Sequence, residues 1–440
     1  MDSSALLPQG ELPNRQLAHH GPSPLPDSSG GPAAPLSAGH TGQNHINVLV
    51  RVRPLYDNSQ TLDLGAETVV DIQSASSLSV TTSDGKRAFQ CAFDAVLGPF
   101  STQQDLYDTV KGCTRSVLEG FNSTIFAYGQ TGSGKTHSMY GPPAITGINN
   151  APTSGTATNV RTAHDSDLLG VIPRAIHEIF SLASNPKVLE MNVYCSFVQI
   201  YNEQLFDMLR DASMNSPLTI REDASGEIYV QGLSEYNVKS VSDTMQLLRI
   251  AEDHRTVRQT YMNEFSSRSH SIFQLFVEQK RVADDGGEVH LRAKYNLVDL
   301  AGSEKWHTTK GQVLHDVHIQ EMTNINLSLH TLGRCIATLA QKAHGDAAHV
   351  PYRDSRLTRL LQDSLRGNAR TFLIATITPA KAHAEESIST LKFADNAKKV
   401  MVLATINESR PVDYAMVLKL QVPVPLTFAV TPPLTITCRS

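Results

Sequence analysis

The chain has 440 residues, 40% hydrophobic and 18% charged, enough apolar material for one large or two moderate domains with real cores. Its formal net charge of −5 excludes a global electrostatic footprint for nucleic acid or an anionic membrane, so neither is expected as a partner and an acidic partner must meet a local basic patch. Five scattered cysteines (Cys91, Cys113, Cys195, Cys335, Cys438) without a C-x-x-C pair exclude a disulfide framework and a zinc site, and no signal segment or run of about 18 apolar residues is present, so a soluble, cytoplasmic protein with reduced thiols is expected.

Residues 1–44 are crowded with Pro, Ser and Gly and read as a disordered leader, because such a composition buries too little surface to offset chain entropy. Order is expected from "INVLVRVRP", where Ile46, Val48, Val50 and Val52 alternate with Leu49, Arg51 and Arg53 at the period of a strand that Pro54 ends. Residues 122–128 predict a short strand entering a glycine-rich turn, and "KTHSMY" opens a helix. Residues 141–169, rich in Gly, Pro, Thr, Asn and Ser, predict a long surface loop, after which "GVIPRAIHEIF" regains helical spacing. "EMNVYCSFVQIYNEQLFDML" predicts a buried strand and a short turn, and "SIFQLFVEQKR" and "AKYNLVDLAG" predict two further strands. Strands alternating with helices predict an α/β layered fold. From Met322, the positions Met322, Ile325, Leu329, Leu332, Ile336 and Leu339 step by three and four, a helical seam better suited to core packing than to a coiled coil, with Arg334 facing outward.

The chemistry begins at Gly129, Gly134, Lys135 and Thr136, which fit G-x-x-x-x-G-K-[ST]. In this pattern backbone N–H groups close on phosphate oxygens, the lysine meets the β and γ phosphates, and the threonine hydroxyl ligates Mg²⁺. "NLVDLAGSE" brings Asp299 to a strand end, as a Walker B aspartate holding the Mg²⁺ shell, while Gly302 leaves its backbone free to approach a γ-phosphate. "NEFSSRSH" supplies two hydroxyls, Ser266 and Ser267, able to sense γ-phosphate and Mg²⁺, and Arg268, able to pair with Glu304 when the site closes. Each of the last two elements is weak alone, and each gains weight from the phosphate loop. The H-x-x-H pair His315 and His318 lacks further ligands, so no zinc is expected there.

The segments "FAYGQTGSGKTHSMYG", "NEFSSRSHSIF", "VDLAGSE", "INLSLHTLGRCIATLA" and "HVPYRDSRLTRLLQDSLRGNARTFLIATITPA" resemble, in order and spacing, the successive motifs of the kinesin motor domain over about residues 45–407. Myosins fill the phosphate loop differently, and GTPases need an N-K-x-D-type base reader, which the sequence does not contain. The resemblance implies a three-layer P-loop NTPase-type fold, with a central, mostly parallel mixed sheet flanked by helices, and ATP with Mg²⁺ as cofactors. It implies an adenine pocket of Arg51, Arg53, Pro54 and His137, phosphate contacts along Gly129, Gln130, Thr131, Gly132, Ser133, Gly134, Lys135 and Thr136, and a metal shell of Thr136, Ser267 and Asp299. Asn263, Ser266, Ser267 and Arg268 match switch I, and Asp299, Gly302 and Glu304 match switch II, with Arg268 and Glu304 pairing to position the attacking water.

The implied polymer-binding face comprises the Met322 helix, the loop before it and "HVPYRDSRLTRLL". Residues 305–370 carry nine Lys or Arg against five Asp or Glu, a local excess suited to the acidic surface of tubulin in microtubules. The expected organisation is a leader to residue 44, a motor domain over 45–397, a neck linker over 398–410 latched by Asn407, and a tail over 411–440 whose Pro423, Pro425, Pro432 and Pro433 forbid a coiled-coil stalk. A truncated or spliced, monomeric product of the cytoplasm and cytoskeleton is therefore expected, plus-end-directed by layout. Arg366 departs from the family, which often carries glycine there, and the loop over 141–169 is longer than its usual equivalent. Two functions are carried forward: a microtubule-stimulated motor ATPase, and a nucleotide-regulated microtubule-binding or end-modifying protein with little motility.

Overall fold

The structure, a computed structural model, describes residues 44–55, 67–142, 167–182, 186–211, 216–224, 226–261, 266–283, 286–304, 316–342 and 349–410. The chain divides into Met1–His40 and Thr41–Ser440, and every described residue belongs to the second unit. The leader up to residue 43, most of the 141–169 loop, the loop over 305–315 and the tail from 411 lie outside the described residues.

In chain order the strands are β1 (Asn44–His45), β2 (Asn47–Val52), β3 (Val70–Ile72), β4 (Ser77–Thr81), β5 (Ala88–Ala92), β6 (Ala95–Leu97), β7 (Ser123–Tyr128), β8 (Val188–Tyr201), β9 (Gln204–Asp207), β10 (Thr219–Glu222), β11 (Ile228–Gln231), β12 (Tyr236–Val238), β13 (His270–Val282), β14 (Glu288–Asp299), β15 (Arg370–Ile377), β16 (Met401–Val402) and β17 (Glu408–Ser409). The helices are α1 (Gln103–Leu118), α2 (Lys135–Met139), α3 (Val171–Leu182), α4 (Val241–Tyr261), α5 (Asp316–Lys342), α6 (Arg356–Leu360), α7 (Gln362–Arg366) and α8 (Ala384–Lys398).

The central sheet runs β12-β8-β13-β14-β7-β15-β2-β6. From β14 to β6 its neighbours are parallel, while β12, β8, β13 and β14 pair antiparallel. Parallel strands need crossover helices on both faces and are buried on both, and every residue of β7 is accordingly buried. The alternation read in β2 sorts its side chains between two layers. Val48, Val50 and Val52 join a cluster with Leu329, Leu332 and Ile336 of α5 and Leu391 of α8. Leu49 joins the opposite cluster with Leu106 of α1, Ile176 of α3 and Leu248 of α4.

Helix α5 begins at Asp316, six residues before the seam at Met322. Leu332 and Ile336 are fully buried, worth roughly 1.5–3 kcal/mol each, and Arg334 is exposed and donates to Asp354 at 3.0 Å. These seam positions are therefore core, and Leu332→Ala is expected to cost about 2–5 kcal/mol. Helix α1 starts at a reciprocal cap: the Asp105 amide donates to Thr102 Oγ1, and the Thr102 amide donates to the Asp105 carboxylate at 2.8 Å. That cap fixes the first helical residue, Gln103, beside the nucleotide loop.

Candidate nucleotide site

Strand β7 delivers the chain to the phosphate loop, and Tyr128 at its end stacks on Phe393 of α8 with ring centroids 3.8 Å apart. The loop approaches β15 so closely at Gly129 that an added Cβ would fall on the Thr376 carbonyl and within 2.8 Å of Ser133 Oγ. Ser133 Oγ lies 2.7 Å from Thr376 Oγ1 and donates to the Gln130 carbonyl at 2.7 Å. Gly134 caps α2 at φ 101°, a left-handed conformation that favours glycine. Lys135 is buried and donates to the Gly129 and Gln130 carbonyls at 3.0 and 2.9 Å. Burial lowers its pKa, opposed by the charges of Asp299 and Glu304.

Parallel pairing of β14 with β7 sets Asp299 opposite Ala127, which brings it to the loop: Thr136 Oγ1 donates to Asp299 Oδ2 at 2.6 Å. Burial raises the Asp299 pKa, against the pull of Arg255, Thr136 and Lys135. Asp299 Oδ1 and Ser267 Oγ are both buried without a hydrogen-bond partner among the described residues. An oxygen set of two hydroxyls and one carboxylate with uncommitted lone pairs suits Mg²⁺, a hard cation that takes few protein ligands and keeps water and phosphate oxygens. The metal-shell residues read from the sequence, Thr136, Ser267 and Asp299, therefore fit that ion.

The segments around Ser267 and Gly302 meet at the backbone. Gly302 N–H donates to the Ser267 carbonyl at 3.0 Å, and Ser303 N–H donates to the Gly129 carbonyl at 3.0 Å. Glu304 has a partner that the sequence did not suggest. Its carboxylate accepts from Thr131 N–H at 2.8 Å and from Thr131 Oγ1 at 2.5 Å, so in this conformation both of its oxygens clasp the phosphate loop. An adjacent N–H and hydroxyl offer a carboxylate two charge-assisted bonds with little side-chain ordering. Gly302 sits beneath this clasp, where an added Cβ would collide with Glu304 and Thr131. Asn263 and the side chain of Ser266 lie outside the described residues.

The base side also differs. Arg51 is only 9% exposed, and its guanidinium donates to Gln103 Oε1 and Ser138 Oγ, each at 2.9 Å. Gln103 Nε2 in turn donates to the His137 carbonyl at 2.7 Å and lies 3.2 Å from His137 Nδ1. Arg51 thus braces α2, its alternation in β2 aiming it at the α1 layer; burial lowers its pKa to about 10, with Asp105 opposing. Arg53, half-buried, donates to the Pro54 carbonyl at 2.8 Å, and Pro54 and His137 are exposed. Gln103 was not legible as a site residue; the reciprocal cap before it is the one sequence signal that fixes its place. Arg255 and Glu252, buried on α4 with side chains 3.4 Å apart, were likewise missed. Burial opposes the Arg255 charge, yet Glu252 and Asp299 hold its pKa above the ordinary range.

The segment after α8 is laid along the body. β16 pairs with β1, and β17 pairs with β14 through Leu291↔Glu408. Asn407 N–H donates to the Gly120 carbonyl at 2.9 Å, and its side-chain amide donates to Gly120 O and Asn122 Oδ1, each at 3.1 Å. Leu403 N–H donates to the Gly367 carbonyl at 2.8 Å. The turn's left-handed residue is Gly367, φ 119°, while Arg366 is exposed, which explains why arginine is tolerated at 366. The basic excess of residues 305–370 is partly spent within the fold: Glu222 of β10 engages both Arg359 and Arg353, and Arg370 packs over the Phe121 ring at 3.9 Å. The side chains of Lys305, Lys310, His315 and His318 lie outside the described residues. No helix among the described residues is long and apolar enough to cross a membrane, and Cys91, Cys113, Cys195 and Cys335 are free thiols.

A phosphate loop, an aspartate joined to its threonine, and two loops meeting through one backbone bond define a nucleotide-binding protein of the P-loop class. The chain belongs to the kinesin family: the kinesin motor domain model matches residues 51–400. It is 39% identical over 374 residues to the kinesin-like protein KIN-12F of Oryza sativa subsp. japonica, covering 83% of this chain and 12% of that protein. It is 38% identical over 386 residues to the kinesin-like protein Klp61F of Drosophila melanogaster, covering 87% and 34%. A solved structure of a fast kinesin, 34% identical, superposes with a TM-score of 0.69 over 89% of this chain and 99% of that one. The chain thus spans about a third or less of the length of these two curated relatives.

Proposed function

We propose that this chain is a microtubule-stimulated ATP hydrolase of the motor type, coupling ATP turnover to plus-end-directed movement along microtubules. The observation that carries the reading is strand β14, which ends in Asp299 bonded to Thr136 and leads to the Gly302 amide on the Ser267 carbonyl, and which pairs at Leu291 with Glu408 of the proposed linker. The solved fast kinesin is described for its ATPase mechanism and its interactions with microtubules.

On this reading the loop amides from Gly129 to Thr136 and the Lys135 ammonium bind the β and γ phosphates, and Arg53, Pro54 and His137 flank the adenine. Thr136, Ser267 and Asp299 would hold Mg²⁺, which neutralises charge developing on the phosphate oxygens. Lys135 exchanges its two loop carbonyls for phosphate, and Ser267 and Gly302 register the γ-phosphate. Glu304 leaves Thr131 for Arg268, and this pair orients the attacking water; catalysis rests on positioning and charge, with no covalent intermediate. The site of action is the cytoskeleton.

Steady-state ATPase with and without microtubules tests this reading, alongside Gly302→Ala, whose added methyl collides with Glu304 and Thr131. Absence of microtubule stimulation overturns the motor reading, and intact stimulation in Gly302→Ala overturns the switch assignment. Gliding of microtubules over surface-bound protein separates a motor from a nucleotide-regulated binding or end-modifying protein.

A further inference from the structure

His270 opens β13, three residues after Ser267, and is 2% exposed. The Ala301 amide donates to His270 Nδ1 at 3.0 Å, and His270 Nε2 lies 2.8 Å from Ser328 Oγ on α5. An amide can only donate, so Nδ1 is unprotonated and a neutral ring carries its proton on Nε2, which donates to Ser328. Burial, aided by the charge of Lys135, pushes the His270 pKa down to about 3, so the ring holds this tautomer throughout the neutral range.

Two successive amides of the "LAG" turn are thereby gripped by one segment: Gly302 N–H by the Ser267 carbonyl, and Ala301 N–H by His270. A buried neutral imidazole needs one partner for its donor nitrogen and one for its acceptor, and this ring finds them on two different elements, the turn and helix α5. We propose that His270 is a positioning residue that ties the Gly302 turn to α5, so that a shift of the turn is passed to the helix through a rigid ring. If the turn moves and the ring does not follow, a buried N–H is stranded, and the geometry disfavours that outcome. Ser328 precedes Leu329, which with Leu332 and Ile336 anchors α5 against the sheet, so the ring meets α5 on its core-facing side. The inference rests on the proposed nucleotide-sensing role of Gly302 and adds the connection from that glycine to the helix.

Hydrogen-exchange mass spectrometry of the whole chain, with Mg·ADP and with Mg·AMP-PNP, tests it on wild type, His270→Asn, Ser328→Ala and the double variant. The shorter side chain of His270→Asn keeps an acceptor near the Nδ1 position but cannot reach Ser328, and Ser328→Ala removes the far partner with the ring intact. The expected result is a nucleotide-dependent difference over residues 316–342 in wild type that falls at least twofold in each variant and no further in the double. The difference over residues 129–136 persists in all. A purely structural role raises exchange equally in both nucleotide states and leaves the 316–342 difference unchanged, which overturns the proposal, as do additive effects in the double variant. Should His270→Asn not fold, Ser328→Ala alone decides. A wild type without a nucleotide-dependent difference at 129–136 overturns the nucleotide reading itself, and this inference with it.

Discussion

Thr136 Oγ1 donates to Asp299 Oδ2 at 2.6 Å, joining the first turn of α2 to the end of β14 across a sequence separation of 163 residues. Two oxygens that the sequence assigns to one metal shell are thus already adjacent. Their contact follows from the parallel register of β14 on β7, and any change in that register would part them.

Asp299→Asn keeps the shape of this contact and removes its charge. ATP turnover is expected to fall by about 100-fold or more, because charge neutralisation at phosphate carries much of the catalysis. The nucleotide-free protein is expected to melt at the same or a higher temperature, since burial already raises the Asp299 pKa and a buried carboxylate is costly. Thermal melts beside coupled ATPase assays decide it; a lower melting temperature would show that the Thr136 bond outweighs the cost of the charge.

The Thr131 clasp holds Glu304 on the phosphate loop. Thr131→Ala removes the hydroxyl bond and leaves the N–H bond. A hydrogen bond to a charged group is worth about 1.5–3 kcal/mol, so partial release is expected to speed the hydrolysis step by roughly 2–10-fold if the clasp must open first. Glu304→Ala is expected to slow the same step by about 100-fold or more. Single-turnover quench-flow reads both, and a slower step in Thr131→Ala would place the clasp within the hydrolysing state.

Asn407 anchors the linker segment by its own amide and by two side-chain bonds. Asn407→Ala removes the latter two, a loss of about 1–3 kcal/mol, and is expected to lower the equilibrium constant for the laid-down segment by roughly 5–150-fold. A donor and acceptor dye pair on residues 409 and 119 would report this as lost energy transfer. Gliding velocity should fall with it, while ATP turnover on microtubules changes less.

His270 makes stability depend on pH. Its folded pKa is depressed to about 3 from 6.5, so the unfolded chain takes up a proton that the folded ring refuses. Its contribution is complete above pH 6.5 and is lost as pH falls toward 3, by up to on the order of 4 kcal/mol. The stability gap between wild type and His270→Asn in urea is therefore expected to narrow steadily from pH 7 to pH 4. A gap independent of pH would mean the ring is not held neutral.

The loop from Gly129 to Thr136, the aspartate at 299 and the strand through Val48, Val50 and Val52 could be read directly, because each depends on local spacing: glycines where backbone must approach phosphate, apolar residues at the period of the element. The α5 seam was legible for the same reason, and Leu332 and Ile336 are buried as its spacing requires. The partners of Arg51 were not legible because alternation gives the face of a strand and not what covers it; α1 and Gln103 lie there. The basic excess of residues 305–370 was visible as a count, but not that Glu222, from a distant hairpin, takes up Arg353 and Arg359.

By itself, then, the sequence determined the phosphate-loop pattern, the oxygens proposed for a metal, and the family to which the motif order belongs, since those properties are carried by neighbouring residues. Tertiary structure alone decided that Glu304 clasps Thr131 across 173 residues, that Arg51 braces a helix, and that His270 joins the Gly302 turn to α5. Such contacts are set when strands take their register and helices settle on the two faces of the sheet, and a side chain's partner is then chosen by proximity in space, which no local pattern encodes.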